Sequence, residues 1–168
     1  MNSLHIRLIA FCCLFCTSLR VSAADKMVDK EHASLELSAK LQYGDDSGYA
    51  IDFMLQNIGR ENISMYRDYL PWRTGNALTL VAIPLNRRDS PLSRTAVIED
   101  PTVAFLDLKP GESIDGKIVL ANDIPGLAKC LRKGDVAIFW AIDAGFLTMN
   151  GKYGRWSGTF ILDRLPTK

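Results

Sequence analysis

The chain has 168 residues, with 20 basic and 19 acidic side chains, and its charges are scattered. No basic block stands out, which argues against nucleic acid and anionic membrane surfaces as partners. Four cysteines and two histidines leave little material for metal or thiol chemistry.

Met1 to Arg7 is a short head with one fixed positive charge, at Arg7. Leu8 to Phe15 (LIAFCCLF) is apolar, and Val21-Ser22-Ala23-Ala24 supplies the small residues of a cleavage point. This is the three-part pattern of a secretory signal peptide over residues 1–23, cut after Ala23 or Ala24. The apolar run is far shorter than the roughly 20 residues a membrane span needs, so no span is expected after cleavage. Phe11 before Cys12 and Phe15 before Cys16 disfavour lipid attachment at either cysteine. The expected location is the periplasm or the medium.

Cleavage removes Cys12, Cys13 and Cys16 and leaves Cys130, so no intrachain disulfide is expected. It also removes Arg7 and Arg20, leaving 18 basic against 19 acidic residues. The remaining chain of about 145 residues is long enough to be held by one hydrophobic core.

Residues 24–32 read as a charged leader, and 33–168 as a single domain. Leu35, Leu37, Ala39 and Leu41 alternate with Glu36, Ser38, Lys40 and Gln42, the period of a strand with one wet face. A turn cluster, Gly44 to Gly48, leads to a second alternating run, with Ile51, Phe53 and Leu55 against Asp52 and Gln56. The pair predicts a β-hairpin. After the turn Asn57 to Asn62, Ile63 to Tyr66 is a short strand. Arg67 to Asn76 (RDYLPWRTGN) is a loop punctuated by Pro71 and Gly75. Ala77 to Ile83 suits a central strand, and Asn86 to Arg94 a polar loop. Val97-Ile98 and Val103 to Leu108 are further strand candidates. Lys109-Pro110-Gly111-Glu112 is a tight turn, where proline presets the backbone and glycine accepts a positive φ. Ile114, Gly116, Ile118 and Leu120 then alternate with Asp115, Lys117 and Val119. Pro125 to Leu131 suits one short helical turn. Val136 to Ala144 (VAIFWAIDA) is the most apolar strand, and Trp156 to Leu162 the last. Asn150-Gly151 between them is the dipeptide of a two-residue hairpin turn.

About eight short strands with almost no helical period predict an all-β fold, an antiparallel β-sandwich. Two turns carry a resemblance: Leu55-Gln56-Asn57-Ile58-Gly59, and Leu106-Asp107-Leu108-Lys109-Pro110-Gly111-Glu112-Ser113. Both resemble turns of immunoglobulin-like modules, and the layout is similar to small protease-inhibitor and metallopeptidase-propeptide domains of that fold. The resemblance implies an immunoglobulin-like sandwich and transfers no inhibitory residue.

Chemistry finds few anchors. His32 stands in the charged leader, and nucleophilic catalysis needs a base beside its nucleophile. Cys130 lies near Lys129, Arg132 and Lys133, yet a lone cysteine most often behaves as a small buried hydrophobe. Asp45 and Asp46 share a loop without calcium-site spacing. Glu99 and Asp100 read as a solvated turn, and Asp143 as a residue on the wet face of its strand. No catalytic residue, metal ligand or cofactor is therefore expected.

The segment Arg67, Asp68, Tyr69, Leu70, Pro71, Trp72, Arg73 is the best candidate site, because Tyr, Trp and Arg are enriched at binding hot spots. The competing reading makes Leu70 and Trp72 a plug for one end of the core. A second group, Tyr153, Arg155 and Trp156, lies near the last hairpin. The expected function is a noncatalytic exported binding domain, an inhibitor or immunity-type partner of another exported protein. A structural or assembly accessory of the cell envelope is the alternative, and a hydrolytic enzyme with an unrecognised site stands third.

Overall fold

The computed structural model describes residues 35–44, 48–73, 77–86, 89–95, 104–148 and 154–165. The signal and leader segments, Asp45 and Asp46, Val97-Ile98, Glu99 and Asp100, Asn150-Gly151 and Tyr153 lie outside them.

The alternating runs form strands. β1 (Leu35–Gly44) and β2 (Gly48–Asn57) pair antiparallel from Leu35 opposite Asn57 to Gly44 opposite Gly48, as a hairpin should. β2 buries Ile51, Phe53 and Leu55, and full burial of such side chains contributes about 1.5–3 kcal/mol each. β3 (Ile63–Tyr66) pairs with β6 (Phe105–Leu108). β4 (Leu78–Pro84) and β8 (Val136–Asp143) pair antiparallel, flanked by β5 (Leu92–Ser93) and β9 (Arg155–Leu162). β7 (Ser113–Val119) joins β2. The described residues thus contain nine strands, all paired antiparallel, in sheets ordered β1-β2-β7, β3-β6 and β5-β4-β8-β9. The fold is all-β.

One face of each larger sheet feeds a common core. Phe53 of β2 and Trp140 of β8 meet edge to face, ring centroids 5.6 Å apart. The Trp140 indole crosses Gly158 of β9, where a Cβ would lie 2.7 Å from its Nε1. Glycine in a strand forfeits packing; here the neighbouring indole supplies it.

Two expectations change. Leu120 opens a short helix, α1 (Leu120–Asp123), instead of extending β7, and its side chain remains fully buried. The polar loop after β4 contains β5, which pairs with β4 through Ser93 opposite Val81. The short helical turn expected over Pro125 to Leu131 is present as α2 (Leu127–Leu131), which buries Leu127, Cys130 and Leu131.

The tight turn expected at Asn150-Gly151 lies outside the described residues, but the ladder that flanks it is described. β8 and β9 pair out to Asp143 opposite Arg155, so their connection spans residues 144–154. Asp143 accepts a hydrogen bond from Gly145 N at 2.9 Å and starts a 3-10 turn, Ala144–Phe146. Thr148 then bridges to Met65 of β3. The residues that follow β8 are thus held by contacts with β3.

Candidate functional site

The loop after β3 is anchored at both ends. Tyr66 N donates to the Leu147 carbonyl and Arg67 N to the Ala104 carbonyl, each at 2.9 Å. Arg67–Tyr69 form one 3-10 turn, and Arg73 N donates to the Leu70 carbonyl at 2.9 Å. Beyond it, Arg94 Nη2 donates to the Arg73 carbonyl at 3.2 Å, while Arg94 Nε pairs with Asp123 Oδ1 at 2.7 Å. Arg94 thus fastens the loop to the end of α1.

Within this frame the candidate residues divide. Leu70 and Pro71 are buried. Trp72 is half-buried against the core, and its five-membered ring occupies the space over Gly116 of β7. Tyr69 is half-buried and also packs on the core. Arg67 and Arg73 are exposed. The segment is therefore composite: Leu70, Pro71 and Trp72 close the core, while Arg67, Tyr69 and Arg73 border solvent.

The pairing of β3 with β6 adds an aromatic residue distant in sequence. Tyr66 stands opposite Phe105 with ring centroids 5.1 Å apart, and Tyr69 meets Tyr66 edge to face at 5.7 Å. Phe105 is 48% exposed, so the group, with Tyr69 resting on the core, presents an aromatic surface to solvent. On the same outward face Ser64 donates a short hydrogen bond to Asp107. Sequence reading missed Phe105 because its tie to Tyr66 is made only by strand pairing. The available signal was the alternation of Phe105 and Asp107 with Leu106 and Leu108.

The second candidate group reaches the same end of the fold. Asp143 N donates to the carbonyl of Ala77, just past the loop, at 3.2 Å, and Leu147 accepts from Tyr66. Trp156 is half-buried against the core, so it contributes packing there. Arg155 is exposed and lies 3.5 Å from the Asp143 carboxylate, on the outward side of β8.

Cys130 is buried on α2, 6% exposed. Among the described residues no three His, Cys, Asp or Glu side chains gather as a metal site, and no helix is long and apolar enough to cross a membrane. Compared with models of known protein families and with curated protein sequences, the chain matches none.

Proposed function

We propose that this chain is a noncatalytic exported binding domain, an inhibitor or immunity-type partner of another exported protein. The aromatic surface of Tyr66, Tyr69 and Phe105, edged by Arg67, is the observation that carries the reading. Aromatic rings and arginine dominate binding hot spots because they bury much area and give directed hydrogen bonds. The loop's backbone bonds hold it in place before any partner arrives, so less entropy is lost on association. We read the domain as an immunoglobulin-like sandwich. The shared core of the two larger sheets supports this, as does the joining of the two resemblance-bearing turns through Asn57, whose backbone N donates to the Glu112 carbonyl at 3.0 Å.

Export rests on the charged head, apolar run and Val21-Ser22-Ala23 site. N-terminal sequencing of protein recovered from the periplasm or medium should begin at Ala24 or Asp25; a product still beginning at Met1 would contradict export. The binding reading is tested by capture from envelope extracts on immobilised protein. Wild type should retain a specific partner, and a Phe105→Ala, Arg67→Ala double variant should lose it at unchanged melting temperature. Equal capture by a well-folded double variant would remove this surface from the site. A structural or assembly accessory of the envelope is the second reading, favoured by the middle of the outer face of β4, β8 and β9, where Val81, Phe139, Ala141, Ser157 and Thr159 carry no charge. It predicts a multiprotein assembly on capture rather than a single partner at one-to-one stoichiometry.

A further inference from the structure

The two larger sheets present different outer faces. The outward positions of β1, β2 and β7 carry Glu36, Lys40, Asp52, Asp115 and Lys117, a face suited to water, with Lys117 and Asp52 3.6 Å apart. The outward positions at the middle of β4, β8 and β9 include Val81, Phe139, Ala141, Ser157, Thr159 and Ile161, with no charge among them. Phe139 is 44% exposed and Ile161 52% exposed. A contiguous apolar face of this kind marks an interaction surface.

We propose that this face docks a second copy of the chain, about a two-fold axis parallel to the strands and between β8 and β9. A two-fold interface must be self-complementary, and two features of the face are. The charges at its edge are one acid and one base in register, Asp143 opposite Arg155, with side chains 40% and 69% exposed. The axis lays Asp143 of each copy over Arg155 of the other, so both pairs attract. Further along, Phe139 stands opposite Thr159. A depression of about 460 Å3 lies beside it, walled by Val81, Phe139 and Trp140 and floored in part by the small residues Ala141, Ser157 and Gly158. The same axis sets each Phe139 over the other copy's Thr159, a knob placed at a hollow. A charged or strongly polar partner would leave this depression poorly matched.

Size sets the strength. About this axis β8 and β9 of each copy overlap, and two strands about 4.8 Å apart and eight residues long present on the order of 250 Å2 of sheet per copy. That is about a third of the roughly 800 Å2 per partner of a standard interface, so the pairing is weak and reversible.

Sedimentation of the purified protein across micromolar to millimolar concentrations tests this. The average mass should rise toward twice that of the monomer. Asp143→Arg and Arg155→Asp, each placing like charges together, should each weaken self-association about tenfold or more. An equimolar mixture of the two variants should restore it, because both cross-pairs again attract. Phe139→Lys should abolish association, with Thr159→Arg as a second probe should Phe139→Lys fold poorly. Met54→Lys, on the outer face of the other sheet, should leave association unchanged. A constant monomer mass would overturn the proposal, as would association indifferent to these face variants or charge variants that fail to complement on mixing.

Discussion

The five-membered ring of Trp72 fills the space that a side chain at Gly116 would need. A loop residue and a mid-strand residue thus make one packing unit: the glycine leaves a gap in β7, and the indole closes it. Trp72 is only half-buried, so Trp72→Ala should cost about 2–4 kcal/mol, at or below the ~3–5 kcal/mol of a fully buried ring. Gly116→Ala should cost about 1–3 kcal/mol, because the ring must move. In the Trp72→Ala background the same glycine change should cost less than about 0.5 kcal/mol, since contacting sites are not additive. Urea denaturation of the four proteins checks this; additive costs would refute the unit.

Asn57 ties two turns that are far apart in sequence. It is fully buried; its Nδ2 donates to the carbonyls of Glu61 and Leu108 at 2.8 Å, and its Oδ1 accepts from Gly59 N at 2.9 Å. Its own carbonyl accepts from Gly111 N at 2.8 Å, in the turn where Gly111 has φ 81°. Asn57→Ala should cost about 2–4 kcal/mol, from three lost side-chain bonds and the partners left unsatisfied. Asn57→Asp should be worse near neutral pH, because a carboxylate would then face two carbonyl oxygens. Thermal melts of both variants would show the order; an Asp variant as stable as wild type would contradict it.

Two groups contribute a pH dependence of stability, one at each end of the range. Hydrogen bonds from Lys133 Nζ, at 2.7 and 3.0 Å, then from Asn86, hold the Asp89 carboxyl below its usual value. The folded state therefore favours the ionised form, and this contribution is present above the ordinary carboxylate pKa of about 4 and lost as pH falls through the lowered value. Burial, then the Asp163 charge, raises the Tyr49 hydroxyl. Its contribution is present below the ordinary phenol pKa of about 10 and lost as pH rises through the raised value. Melting temperature against pH should flatten at the acid end in Asp89→Asn and at the alkaline end in Tyr49→Phe. Limbs unchanged by these variants would assign the pH dependence elsewhere.

Cys130 should behave as packing. It is buried on α2, so alkylation should require unfolding, and the melting temperature of a protein of residues 24–168, in which Cys130 is the one cysteine, should ignore reductant. Cys130→Ser should destabilise more than Cys130→Ala, because a buried hydroxyl needs a partner. Rapid labelling of the native thiol would show that α2 opens readily.

The first hairpin was legible because Leu35 to Leu41 and Ile51 to Leu55 alternate without error, and a single wet face leaves one register. β3 was bounded correctly at Ile63 and Tyr66. Leu120 was misplaced because an apolar residue continuing the alternation is buried equally well on a short helix. Half of the candidate site was visible as composition, in Arg67 to Arg73. Phe105 was not, because its partner Tyr66 lies on another strand.

Sequence alone determined the all-β class, most strand positions and the turns at Gly111 and after Asn57, because period-two burial and positive-φ turns are written locally. Tertiary structure decided which strands are neighbours, that Trp72 faces Gly116, and that Tyr66, Tyr69 and Phe105 form one surface. It also decided that, among the described residues, Phe139 and Ile161 on the outer face of β4, β8 and β9 are exposed, where an apolar strand such as VAIFWAIDA would equally suit burial on both sides. These are pairings between residues tens of positions apart, selected by the packing of the whole core, and no local pattern encodes them.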